Sequence, residues 1–574
     1  MPDLSRSQLS LLRFSRHTVL LLAFVTLSTG CTALRRWLVP PPSHAQDGQV
    51  GYNRQRSTQN AEMILVVASL PGGSTEENAV AVRDGHILAR GTLADLDGVR
   101  DDATRTIRLP GGVATAGLVA GHVRLEMAAM ANDTVDLRGC KSVADVVNTL
   151  KIAKPLVLTE SGWLWADGLH PGLFAKLSSA DLDRAVGRTA VLVTPDSDST
   201  GLANGSLLAR LGDLGTAIAG HGGHLDDRQI RLAWQQLPPA RSERLKPLLL
   251  AVFAKLQREG VTEVHAFAGS QTLLEALHTL DRESRLTVRT RVYLDAERPE
   301  GRALLAAPNT PSSADPSMQA DKNAPPPKPK RVPLVQVAGV SLELDGSVHS
   351  GTAALSERYA DLPHAGTLTY SDELLQERLT AADRAGVQVA VRASGDAALA
   401  QLARVMGAMQ RSADAPVLRV ELPEVVSPET LSVLQAAHAV CVVAPTLSQR
   451  EIDVARRHLG TERLPWFDRA ATLAEVCPLQ VALDIARPDA LRARDRLTRH
   501  NSADSEAMTA EQAWRALSSG GTARQTAPIQ VGEDADFVIW SRDPLLPGKV
   551  PAKVIASMVG GTVTLLIGRD LNAE

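Results

Sequence analysis

The sequence predicts a parallel-stranded α/β barrel with a smaller β domain assembled from both ends of the chain. Three observations carry that expectation. Helical and strand patterns alternate over about 400 residues, and a barrel is the commonest closed form of that alternation. Runs of β-type residues flank it, at 61–113 and again at 534–568. Hydrophobic residues make up 44% of the chain but aromatics only 3%, so the core should be Leu, Val and Ala.

The N-terminus reads as a targeting segment. Arg6, Arg13 and Arg16 precede "VLLLAFVTLSTGC" at 19–31. A basic stretch before a short apolar run is an export signal, since a spanning helix needs about 20 apolar residues. Leu27-Ser28-Thr29-Gly30-Cys31 resembles a bacterial lipobox, with the leucine one place early. Residues 1–31 are therefore the signal and lipobox segment, with Cys31 the expected lipidation site. Cleavage after Ala45, or an uncleaved anchor, is the alternative. Residues 32–58, rich in Pro, Ser and Gln, form a flexible tether. The expected location is the bacterial cell envelope, reached through a lipid anchor on the membrane; the alternative is a periplasmic or secreted protein.

The first β unit follows. "AEMILVVASL" is a strand, and "NAVAVRDGHILARGT" is two strands around the turn Asp84-Gly85. "ATRTIRLPGG" adds a third run. At the other end, "DADFVIWSRDP" and "KVIASMVGGTVTLLIG" mirror this around Gly560-Gly561. The composite domain is placed at 59–115 and 526–574, and the barrel at 116–525. Helical periodicity marks 143–153, 244–260, 371–386, 397–411, 427–438 and 509–521. Short apolar runs between them mark strands, including "TAVLVTP", "VTEVHAFAG", "TVRTRVYLD", "VQVAVRASGD", "VLRVELPE", "AVCVVAPT" and "LQVALDIA". An inserted region is expected at about 140–240, and 307–332 is a Pro/Lys-rich flexible loop.

Net charge is −3, so nucleic acid is not an expected partner. Cys31, Cys140, Cys441 and Cys477 show no Cys-x-x-Cys spacing, which excludes a zinc ribbon. Cys140, Cys441 and Cys477 read as small buried residues, with a Cys441–Cys477 bridge as the alternative.

Several stretches together resemble a known family. "VRDGHILARGT", "TAGLVAGHV", "GVTEVHAFAG", "DGSVHSGTAAL", "AGVQVAVRASGDAAL", "VGEDADFVIWSRDP" and "MVGGTV" follow the order of the amidohydrolase superfamily. The nearest branch is the amidohydrolase-3, formamide deformylase-like group. The resemblance implies a (β/α)8 TIM-like barrel with a composite β-sandwich domain from both termini. It also implies metal-dependent hydrolysis of carbon–nitrogen bonds other than peptide bonds, with ligands at the C-terminal ends of barrel strands.

Carried over residue by residue, that metal set is mostly missing. The first-strand His-x-His is His122-Val123-Arg124. The lysine position holds Ser341, while Asp345 is kept. The two later histidine positions hold Arg392 and Leu422, although Arg419 and Glu421 remain. The last-strand aspartate, the general base in the family, is Asp484. Ser197-Asp198-Ser199 replaces an Asp-Gly-His motif before Asn204. A guanidinium has no lone pair to give, and zinc sites use three protein ligands plus water. The expected cofactor is none, the alternative being one Zn2+ or fewer at His122 and Asp484, with Asp484 as catalytic base.

Arg124 and Arg392 are then expected in the barrel mouth beside Asp484, Glu421 and Asp345, replacing the metal's charge. His265 is expected to pack or hydrogen-bond. His349 is read as polar loop, and His221 and His224 as surface residues. The chain reads as an exported binding or scaffold protein whose barrel mouth holds a small polar ligand. The alternatives are an active hydrolase with an atypical site, and a structural protein that docks a partner through 307–332.

Overall fold

A computed structural model describes residues 60–71, 76–195, 200–236, 241–307, 333–412, 415–445, 449–483, 488–499, 506–518, 529–546 and 550–567. The signal and tether, Cys31, Ser197-Asp198-Ser199, Asp484 and residues 308–332 of the loop lie outside them. The chain divides into two compact units. One contains Asn132–Leu225; the other contains Gln59–Ala131 and Asp226–Glu574.

In the larger unit, eight parallel strands form one sheet: β1 (Leu118–Val123), β2 (Val261–Gly269), β3 (Arg289–Asp295), β4 (Val335–Glu343), β5 (Gln388–Arg392), β6 (Arg419–Glu421), β7 (Val440–Val443) and β8 (Leu479–Val481). They pair in sequence order from β1 to β8. The last strand returns beside the first, where a Cβ on Gly121 would stand 3.0 Å from the Val481 carbonyl oxygen. The alternating pattern therefore does close into a barrel. Its outer face buries aliphatic residues against the helices, for instance Val264 and Val391 with Leu277 and Leu399.

Strands from both ends of the chain join in a single seven-stranded sheet. Its order is Thr562–Leu566, Val554–Val559, Phe537–Trp540, Arg105–Ala116, Met63–Ser69, Ala79–Arg83, His86–Gly91. Phe537 pairs with Ala116, which stitches the C-terminal strands to the N-terminal ones. Asp84 and Gly85 have φ of 48° and 75°, as a two-residue hairpin turn of the primed kind requires. Gly560 and Gly561 do the same, at 55° and 72°. Two ties between the sheet and the barrel stand out. Arg105–Ala116 runs through Gly117 directly into β1, and Arg289 at the start of β3 donates to both oxygens of Asp536.

The smaller unit has its own five-stranded sheet and its own aliphatic core, including Leu150, Leu164, Val191 and Leu202. Two capping boxes, Ser142 with Asp145 and Ser178 with Asp181, start its helices. "TAVLVTP" becomes Ala190–Pro195 of this sheet and not a barrel strand. The aromatic stretch at 163–172 likewise packs inside this unit as Trp163–Leu169. His221 and His224 are exposed there.

Cys441 and Cys477 form a disulfide with Cα atoms 6.2 Å apart, so the bridge and not two free buried thiols is what the fold contains. Cys140 is free and half-buried.

Candidate functional site

Alternate residues of a barrel strand point inward. Barrel interiors are normally filled by bulky branched side chains. Here the inward positions carry charge. On β2, Glu263 accepts from Arg291 Nε of β3 at 2.6 Å and from His265 Nε2 at 2.8 Å. Burial pushes Glu263 upward, but Arg291 and His265 outweigh it and hold the carboxyl at about 2. His265 is fully buried, and its own protonation is disfavoured by burial and by Arg419. It hydrogen-bonds as the sequence led us to expect.

On β6, Arg419 is 0% exposed and donates to Glu421 (2.9 Å), to Gln480 of β8 (2.9 Å) and to the Gly121 carbonyl of β1 (3.0 Å). Its guanidinium also lies 5.3 Å from the centre of the Tyr293 ring. Glu421 is shared: its second oxygen lies 2.9 Å from His122 Nδ1. Burial raises the Glu421 pKa, but Arg419 and His122 bring it below the ordinary range. A carboxylate only accepts, so His122 Nδ1 carries the proton and Nε2 keeps its lone pair. Burial and the nearby Arg124 and Arg392 keep the imidazole neutral, against the pull of Glu421. The His122 ring stacks on Phe267 at 4.2 Å, and Phe267 stacks on Tyr293 at 4.7 Å.

Above this layer is a group that sequence reasoning missed. Glu343, the last residue of β4, accepts from Arg124 Nη2 at 2.5 Å on one oxygen. Its other oxygen lies 2.6 Å from Arg231 Nε, which the helix Asp227–Gln236 supplies. Burial would raise Glu343, but Arg124, Arg231 and Arg392 together hold it at about 2. Arg392 ends β5, in register between Glu343 and Glu421, and is 8% exposed. One sequence signal was available: Glu343 stands two places after Ser341, on the same side of β4.

The other positions in the resemblance fall as follows. Asp345 accepts three backbone N–H groups, from Ser394 (2.8 Å), Gly395 (2.7 Å) and Ala354 (2.9 Å). It is thus the anchor of the loop after β5. Burial pushes its carboxyl up to about 6 despite those bonds and Arg392. Ser341 Oγ donates to the Leu294 carbonyl at 3.4 Å. Leu422 sits at φ 53°, a conformation costly for a branched residue, just beyond β6. With Val348, His349, Glu424, Glu451 and Asp468 it lines a cavity of about 160 Å3. His122, Arg124 and Arg392 therefore meet around Glu343, while Leu422 and His349 belong to this separate cavity.

At the positions that the resemblance assigns to metal ligands, Arg124, Arg392, Leu422 and Ser341 offer no imidazole or amine lone pair. His122 has committed one nitrogen to Glu421. Among the described residues no group of three His, Cys, Asp or Glu side chains is placed to hold a metal ion. The donor set of the described residues does not fit a divalent metal.

Comparison with known proteins gives the chain its relatives. Protein LONG AFTER FAR-RED 3 of Arabidopsis thaliana is 26% identical over 409 residues, 67% of this chain and 68% of the relative. An uncharacterised metal-dependent hydrolase from Pyrococcus horikoshii OT3 superposes with a TM-score of 0.67 at 19% identity, covering 84% of this chain and 98% of its own. One from Pyrococcus furiosus gives 0.65 at 20% identity, covering 85% and 99%. At such identities the likeness is one of fold. The amidohydrolase family itself matches residues 105–564, well over half of the sequence. The barrel, the sheet built from both ends and this match agree: the chain belongs to the amidohydrolase family.

Proposed function

We propose that this protein is a metal-free, ligand-binding member of the amidohydrolase family, exported to the bacterial envelope and anchored there through Cys31. The observation that carries the reading is the Arg124–Glu343–Arg231 cluster beside Arg392. Guanidiniums stand where the family's resemblance puts metal-ligating imidazoles, and their carboxylate partner lies at the end of β4. A divalent cation entering there would meet Coulomb repulsion from fixed positive charge. The mouth keeps its polarity without the chemistry that metal-bound water supplies, so it retains small polar ligands rather than hydrolysing them. The disulfide supports an oxidising compartment outside the cytosol.

The test is elemental analysis of the full chain purified without chelators and then reloaded with zinc or manganese. Far less than one metal per chain is the expected result. Anchoring is tested separately: Cys31→Ala should move the protein from the membrane fraction to the soluble one.

The competing reading is a working hydrolase of non-peptide carbon–nitrogen bonds with one zinc at His122 and Asp484. One observation favours it: His122 turns Nδ1–H to Glu421, which leaves the Nε2 lone pair to give. One tightly held metal per chain, lost in His122→Ala, would establish that reading and overturn ours.

A further inference from the structure

Among the described residues, the cations of the barrel mouth exceed the carboxylates that answer them. Both oxygens of Glu343 are taken, one by Arg124 and one by Arg231. Both oxygens of Glu421 are taken, by Arg419 and His122. Asp345 is filled by its three backbone N–H groups. Arg392 lies among all three acids, acting on the charge of Glu343 and Asp345, yet forms no ion pair with any of them. Its Nε is buried and has no acceptor among the described residues. A buried guanidinium donor left without an acceptor is costly, so its persistence calls for one.

We infer that Arg392 is the centre of an oxyanion subsite, one that receives the carboxylate or phosphate group of a small ligand in the barrel mouth. Arg124 completes it. Arg124 remains 24% accessible at its side chain, so it can be reached from solvent. The planar fork of a guanidinium matches a carboxylate or a phosphate through two parallel hydrogen bonds. Glu343 sets the geometry: it fixes Arg124 and Arg231, and it repels an anion that binds too close to β4. The inference rests on the ligand-binding reading above and names the chemical class of that ligand.

The experiment uses the full chain in detergent, with inorganic phosphate and malonate titrated separately at constant ionic strength balanced by chloride. Melting temperature and calorimetric heat are read together. A saturable rise in melting temperature with at least one anion is expected. Phosphate alone points to a phosphorylated ligand, malonate alone to a carboxylate. Arg392→Met should abolish the response while leaving the anion-free melting temperature equal or higher, because an unanswered charge is gone. Arg404→Gln, on the exposed face of the helix Asp396–Ala408, should respond like the parent. No saturable response in the parent, or a response kept in Arg392→Met, overturns the inference. Metal content measured on the same samples separates the two readings. A metal-free chain blind to both anions defeats only the subsite, whereas a tightly bound metal defeats the metal-free reading whatever the anions do.

Discussion

The terminal sheet buries Leu65, Val67, Phe537 and Ile539 against one another, whereas the barrel of the same unit buries Glu263, His265, Arg419 and Glu421 in its interior. In the sheet each contact contributes separately, through apolar area removed from water. In the barrel the contributions are conditional. Arg419 is tolerable at 0% exposure because Glu421, Gln480 and the Gly121 carbonyl all accept from it. Take away one member and the others become buried groups without partners. Arg124 and Arg392 stand at the top of that same interior, so changing either alters a network and not one bond.

The largest break in this contrast should come from Arg419→Leu. It leaves Glu421 buried with only a neutral imidazole beside it, and removing one partner of a buried pair typically costs about 3–5 kcal/mol. Ile539→Val in the sheet should cost about 1 kcal/mol. Urea midpoints of the two variants give the comparison directly. The double variant Arg419→Leu/Glu421→Leu should regain much of the loss. Equal costs for the two single changes would mean the barrel interior is no more coupled than the sheet.

Next in size is the disulfide. Cys441 ends up on β7 and Cys477 just before β8, 36 residues apart. Closing a loop of that length constrains the unfolded chain by roughly 3–4 kcal/mol in the entropic account. Cys441→Ala/Cys477→Ala should lie about 2–4 kcal/mol below the oxidised parent, with a midpoint that ignores reductant, and reductant should bring the parent down towards it. A parent protein whose midpoint ignores reductant would show that the bridge constrains nothing that folding has not already fixed.

How much of this could be read beforehand differs between the same two regions. Asp84-Gly85 and Gly560-Gly561 announced their turns because the signal is local: residues that accept positive φ between two alternating runs. The barrel strands announced themselves by apolar runs of the right length. β4 did not, because "VQVAGVSLE" breaks the pattern with Gly339, where a Cβ would stand 2.1 Å from the Gln388 carbonyl oxygen. Ala190–Pro195 looked like a barrel strand because a buried parallel strand reads alike in any sheet. The Arg124–Glu343–Arg231 cluster was out of reach for a different reason. Its members come from three distant segments, and only the closed barrel with the helix Asp227–Gln236 brings them together. The charged residues of the mouth were legible one by one; the carboxylate that joins Arg124 to Arg231 was not. The pairing of Cys441 with Cys477 stayed open in the sequence because spacing alone cannot supply a Cα separation.

Acid titration sharpens the contrast with two carboxyls of the barrel mouth that act in opposite directions. Glu343 is held at about 2, so between pH 2 and its ordinary 4.5 the unfolded chain binds more protons. Stability from Glu343 is therefore complete above 4.5 and is lost as pH falls towards 2. Asp345 is raised from 3.8 to about 6, so across that window the folded chain binds more protons. Its contribution is complete below 3.8 and is lost as pH rises through 6. Midpoints measured from pH 3 to 7 should show Glu343→Gln flattening the acid limb and Asp345→Asn removing the decline between 4 and 6. Asp345→Asn should also lower stability at every pH, since an amide cannot accept all three N–H groups. If neither variant changes the slope in its own window, the mouth is wetter than the buried ion pairs imply.

The smallest effects belong at the hairpin of the terminal sheet, where backbone conformation and not charge is at stake. Asp84→Asn should stay within about 0.5 kcal/mol of the parent, because asparagine accepts positive φ as readily as aspartate. Gly85→Ala, at φ 75°, should cost about 1–2 kcal/mol. The turn also carries a longer tie: Ala535 N donates to the Gly85 carbonyl, and Gly561 N donates to the Ala535 carbonyl. A strained Gly85 would disturb the seam between the two ends of the chain, so the loss should appear as a lower midpoint for the whole sheet and not as local fraying. If Asp84→Asn costs as much as Gly85→Ala, the contact between Arg83 and the Asp84 carboxylate matters more than the turn, and charge has a part even in the apolar region.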